Sequence, residues 1–118
     1  VEYLSAGHPP VMVRRMSGTV DCYPSTAVPI AMLPEMETES SSFPLDPGDA
    51  VVICTDGLLE LRNDDGRLFG SDHTIASIAK SDGSPCGIYS NLTRAIAEFH
   101  QLDRLDDDLS FVAMRLRD

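Results

Sequence analysis

Basic residues are scarce in this sequence: 9 Lys and Arg stand against 19 Asp and Glu, giving a formal charge of −10. Clustered Lys and Arg release counterions from a phosphate backbone, so nucleic acid is not an expected partner. Long apolar runs are also missing. No stretch approaches the ~18 consecutive apolar residues of a membrane-spanning helix. Val1 to Leu4 shows no basic segment ahead of a hydrophobic one, so neither membrane insertion nor a signal is read here. The three cysteines, Cys22, Cys54 and Cys86, are odd in number and lack CxxC spacing. That excludes a disulfide framework and a thiolate zinc site, and fits the reduced thiols of a cytoplasmic protein.

What is present suffices for a core. At 118 residues with 42% hydrophobic content, the chain is one domain or part of one, and no internal repeat is visible. It opens in strand-like sequence without a methionine, as a fragment would.

Val1 to Ala6 reads as a strand, Gly7 to Pro10 breaks it, and Val11 to Met16 resumes β-type residues, so a hairpin-like pair is expected. Ser17-Gly18 turns the chain into a third strand over Thr19 to Tyr23. Pro24, Pro29 and Pro34 then exclude a long helix. Glu35 to Phe43, rich in Ser and Thr, suits an exposed strand or low-complexity sequence. Pro47-Gly48 makes a turn before the buried strand Ala50 to Cys54. Leu58 to Leu61 continues as a short apolar piece, and Asn63 to Gly66 is a tight turn. The acids of that turn share part of a calcium loop's pattern but lack its full spacing and closing Glu.

Helices are predicted late. Ser71 caps one over about Asp72 to Lys80; Ser84-Pro85 supplies a cap and first-turn pair for a second, whose Ile88, Leu92, Ala95, Ile96 and Phe99 share a face. Leu109 to Leu116 reads as a terminal strand. The expected class is α+β, with mostly antiparallel strands first and helices clustered after them.

Asp56 is the most informative residue. It ends the apolar run Val51 to Cys54 within Thr55-Asp56-Gly57, while Asp106-Asp107-Asp108 opens the last apolar segment. Carboxylates on strand ends project from rigid elements, and Mg²⁺ and Mn²⁺ need only a few such oxygen ligands. The competing reading is a turn at Asp56-Gly57 and a solvated acidic loop that protects a strand edge.

Five segments in order, Ser5 to Pro10, Leu45 to Asp49, Thr55 to Glu60, Phe69-Gly70 and Asp107 to Ser110, resemble the SpoIIE-type branch of the metal-dependent protein phosphatases along the whole chain. The resemblance implies a mostly antiparallel β-sandwich flanked by helices. It implies Mn²⁺ or Mg²⁺ in a two-metal site, with Asp56 matching the metal-binding Asp of a TDG motif and Asp107 the first Asp of a DDxT motif in which Ser110 replaces Thr. Asp108, Gly57 and Glu60 are implied as supporting residues, with Asp106 as the acid that a one-residue shift would exchange for Asp107. His8 is read as a hydrogen-bonded turn residue rather than a general acid. No P-loop GxxxxGK[ST] and no Cys-x5-Arg loop points to other phosphoryl chemistry.

The implied activity is hydrolysis of phosphoserine or phosphothreonine on a protein partner, for example an anti-sigma-factor antagonist. In the family a further metal-binding Asp comes from an N-terminal half. Residues 1–118 are therefore expected to be the C-terminal part of one phosphatase domain, inactive alone and, with sheet surface uncovered, prone to self-association. The alternative is a non-enzymatic regulatory or interaction module of the same fold.

Overall fold

The computed structural model describes residues 1–35, 37–100, 105 and 107–117. Strands come mainly first: β1 (Glu2–Tyr3), β2 (Val11–Arg14), β3 (Val20–Tyr23), β4 (Ser41–Ser42) and β5 (Ala50–Cys54). Helices α1 (Asp56–Leu59), α2 (Gly70–Ala79) and α3 (Pro85–Phe99) follow, and β6 (Phe111–Arg115) ends the series. Four strands form one antiparallel sheet in the order β3-β2-β5-β6, and β1 and β4 make a separate two-stranded ladder. The α+β class is as expected.

Period-two alternation explains how the sheet packs. Along β5, Ala50, Val52 and Cys54 are buried while Val51 and Ile53 are half-buried. The buried set joins Met12 of β2 and Leu58, Leu61, Phe69, Ile78, Ile88, Leu92 and Ile96 in one core. Each such aliphatic side chain contributes about 1.5–3 kcal/mol when removed from water. On β6, Phe111 and Ala113 face the same core, whereas Val112 and Met114 are 55% and 50% exposed. Helices therefore cover one sheet face, and the outer edge of the other is apolar and open.

Helix α3 begins as its sequence dictates: the Ser84 side chain accepts the Gly87 amide at 2.9 Å and Pro85 occupies the first turn. Other expectations shift. The first strand does not form a hairpin with β2; β1 pairs with β4, in register Glu2↔Ser42 and Tyr3↔Ser41. So short a ladder is marginal alone. It is held to the sheet by aromatic packing, with Tyr3 against Phe43 at 5.6 Å and Phe43 stacked on Tyr23 at 4.5 Å between centroids. The exposed strand expected over Glu35 to Phe43 shrinks to Ser41–Ser42. Helix α2 starts at Gly70, with Phe69 rather than Ser71 at its cap and no side-chain cap bond. Burial decides that boundary, because Phe69 is 1% exposed and stacks on His73. In the short apolar piece after β5, Leu58 and Leu59 belong to α1, a single turn.

Candidate functional site

β5 and β6 pair over their whole length, from Ala50↔Arg115 to Cys54↔Phe111. The chain leaving β5 and the chain entering β6 therefore meet at one end of the sheet. Thr55 fastens them: its amide donates to the Ser110 carbonyl at 2.9 Å, and its hydroxyl accepts the Ser110 amide at 3.0 Å. Immediately beyond, Gly57 lies against the backbone carbonyl of Asp108, where a Cβ would also stand 3.2 Å from the Asp108 carbonyl carbon. Residues 55–57 and 108–110 are thus locked backbone to backbone. Asp56 and Asp107 sit beside that contact.

The two carboxylates are held in the same way. One oxygen of Asp56 accepts the Gly57 amide at 3.0 Å, and one oxygen of Asp107 accepts the Asp108 amide at 2.7 Å. In each case the second oxygen has no protein partner among the described residues. Both side chains are exposed. Asp56 is not the terminal residue of a strand; it is the first residue of α1, where a carboxylate also suits the positive end of the turn. Asp107 shares a pocket of about 190 Å³ with Gly57, Glu60, Leu61 and Arg62.

The supporting residues are placed as follows. Gly57 is buried and makes the contact just described. Glu60 is the C-cap of α1, its amide donating to the Asp56 carbonyl at 2.8 Å, and it faces the Asp107 pocket. Asp108 contributes its backbone to the Gly57 contact. Asp106 lies outside the described residues. Thr55 was part of the motif without an assigned role, although a hydroxyl before Asp-Gly at a strand end was the available signal. Its clasp makes it a positioning residue.

A hard cation would find suitable donors here, since Asp56 and Asp107 offer oriented, solvent-facing oxygens and no softer ligand. The fit is partial. Among the described residues no group of three or more His, Cys, Asp or Glu side chains comes together to hold a metal. His8 is exposed, with Nδ1 3.0 Å from the Pro9 carbonyl, as a turn residue would be. In the 63–66 turn, Asn63 Oδ1 accepts the Asp65 and Arg67 amides at 3.1 and 2.9 Å, so a turn accounts for it without calcium.

Comparison with known proteins bears on the family and the fold. The family described as Stage II sporulation protein E (SpoIIE) matches residues 1–117. Protein IcfG of Synechocystis sp. is 22% identical over 114 residues, 97% of this chain and 18% of its own length. The phosphoserine phosphatase RsbP of Bacillus subtilis is 33% identical over 60 residues, 51% of this chain and 15% of its own. This chain thus spans less than a fifth of either relative. The solved PP2C phosphatase domain of the cell fate determinant SpoIIE from Bacillus subtilis, with a fragment of its regulatory domain, superposes with a TM-score of 0.79 at 20% identity. The match covers 98% of this chain and 33% of that one, and it shows the fold.

Proposed function

Because the chain belongs to the Stage II sporulation protein E (SpoIIE) family, we propose that it is the C-terminal part of a metal-dependent serine/threonine protein phosphatase domain in bacterial signalling. The observation that carries this reading is the clasp of residues 55–57 onto 108–110, which brings Asp56 and Asp107 to one end of the sheet, each with one oxygen tied and one open.

In this proposal Asp56 and Asp107 hold Mn²⁺ or Mg²⁺, and Gly57, Asp108 and Glu60 support them. When bound, such ions supply an activated water and neutralise charge on the phosphoryl oxygens. The chain's own contribution is rigidity: the amides of Gly57 and Asp108 fix the carboxylate rotamers, and Thr55 keeps the two segments from separating. Two carboxylates under-ligate a two-metal centre, and no third joins them among the described residues, so in this proposal further ligands come from the N-terminal part of the domain. These residues alone therefore bind Mn²⁺ weakly and hydrolyse phosphoester negligibly.

A phosphoserine on a protein partner, such as an anti-sigma-factor antagonist, is the proposed substrate; the name of the relative RsbP, a phosphoserine phosphatase, supports that class. A cytoplasmic location fits such a substrate, and no described helix is long and apolar enough to cross a membrane. The open apolar edge at Val112 and Met114 is expected to drive self-association of the isolated chain.

A non-enzymatic interaction module of the same fold is the second reading, favoured by the missing third metal-binding side chain among the described residues. Asp107→Asn in the intact parent separates the two. An enzyme loses phosphate release from its phosphoprotein, whereas an interaction module keeps partner binding and has no release to lose.

A further inference from the structure

The opposite end of the same two strands carries a different surface. A cavity of about 740 Å³ opens there, lined by Met16, Pro47, Gly48, Ser84, Pro85, Arg115, Leu116 and Arg117. It lies a full strand length, roughly 13 Å or more at about 3.3 Å per residue, from the Asp56 end. Its walls are built rather than incidental. Gly48, at φ 93°, donates to the Leu116 carbonyl at 3.0 Å, and a Cβ on it would stand 2.6 Å from the Met16 sulfur. The β4–β5 turn is thereby closed onto the tail of β6, with Met16 packed against it. Opposite stands the start of α3, a 15-residue helix whose N-terminal dipole favours negative charge.

Charge makes the cavity unusual in this chain. Acids outnumber bases 19 to 9, yet Arg115 and Arg117 both line the cavity and neither forms an ion pair among the described residues. Asp82 is within electrostatic reach of Arg115 and of Arg14. It is engaged in the α2–α3 turn, accepting the Ser84 amide at 2.8 Å and the Ser84 hydroxyl at 2.7 Å. Met16, Pro47, Pro85 and Leu116 add apolar side chains to the lining, beside Gly48 and Ser84.

We propose that this cavity docks an acidic segment of a partner polypeptide, with a carboxylate against Arg115 and Arg117 and a neighbouring aliphatic side chain between Met16 and Leu116. A guanidinium fork matches a carboxylate, and the apolar walls select for a peptide over a free anion. The long-range field of an acidic protein repels anions, so recognition must be local, as two neighbouring arginines beside apolar side chains provide. The site is independent of the carboxylates at the other end. A segment bound here would tether a partner without occupying the place where Asp56 and Asp107 act.

The test is fluorescence anisotropy of the full-length protein with a fluorescein-labelled peptide alternating glutamate and leucine. Saturable binding is expected, weakened at least about tenfold by Arg115→Ala combined with Arg117→Ala, as for loss of charge-assisted anchors. Both arginines are exposed, so the variant should fold, and peptide-side changes test the site without touching the fold. Replacing glutamate by lysine, or leucine by serine, should each abolish saturation. Equal binding to the double variant, equal binding of the lysine peptide, or no saturable binding would overturn the proposal. Competition by inorganic phosphate with no contribution from leucine would assign the cavity to a small anion and overturn it as well.

Discussion

Gly57 touches the backbone carbonyl of Asp108 with no room for a side chain between them. Gly57→Ala would place its methyl against a main-chain oxygen that has no rotamer to give, so α1 or the 107–110 segment must move. The expected cost is about 1–3 kcal/mol, typical of overpacking, measured by chemical denaturation. Because the moving segment carries Asp107, metal affinity of the intact parent should fall further than stability does. A variant with unchanged stability would show that the contact is looser than described.

The Arg15–Asp49 pair should govern acid stability. Asp49 is 3% exposed, and its carboxylate meets Arg15 Nη1 at 2.8 Å, the Met16 amide at 3.0 Å and the Asp46 amide at 3.2 Å. Burial works to raise this carboxyl, but Arg15 and the two amides together outweigh it, so Asp49 titrates below the ordinary range. A depressed folded value means the stabilisation is present above the unfolded carboxyl value of about 3.9 and is lost as pH falls through the lower folded value. Thermal melts should therefore drop below about pH 4, and Asp49→Ala should remove that part of the drop while costing about 1–3 kcal/mol at neutral pH, because the Met16 and Asp46 amides lose their acceptor while Arg15 keeps Asp21.

Thiol reactivity should follow burial. Cys22 and Cys86 are exposed, whereas Cys54 is 1% exposed and burial pushes its thiol up to about 11. Partial burial and the neighbouring Asp21 also push the Cys22 thiol up, so titration with an aromatic disulfide at pH 8 is expected to consume Cys86 first, Cys22 more slowly, and Cys54 only on unfolding. Three fast equivalents would mean that β5 opens readily.

At the start of α3, Ser84→Ala removes the acceptor for the Gly87 amide at 2.9 Å and should cost about 1 kcal/mol. Ser71→Ala should cost close to nothing, since no side-chain cap bond is made at the start of α2. Paired denaturation curves check both.

Those last two serines show where the sequence was legible. Ser84-Pro85 acts through chemistry confined to a few residues, so the start of α3 could be read locally. Ser71 satisfied the same local rule and lost to Phe69, whose burial against His73 and Phe99 is a tertiary matter. The alternation of Ala50 to Cys54 revealed β5, but the partner of β1 lies about forty residues away at Ser41–Ser42, and nothing near Glu2 announces it. At the candidate site, Asp56 and Asp107 stood out as acids beside apolar runs. Each is restrained locally by the amide of the next residue, but the Thr55 clasp that brings their segments together depends on a strand pairing that joins residues 55 apart.

The central claim is that Asp56 is a metal-binding carboxylate of a phosphatase. Its most direct test is Mn²⁺-stimulated phosphate release from a phosphoserine protein by the intact parent, wild type against Asp56→Asn. Asn keeps the side chain's size and an oxygen for the Gly57 amide but removes the charge, so the fold should persist while Mn²⁺ stimulation disappears, a loss of at least about a hundredfold for a metal ligand. An Asp56→Asn parent that releases phosphate at the wild-type rate with the same Mn²⁺ dependence would contradict the account.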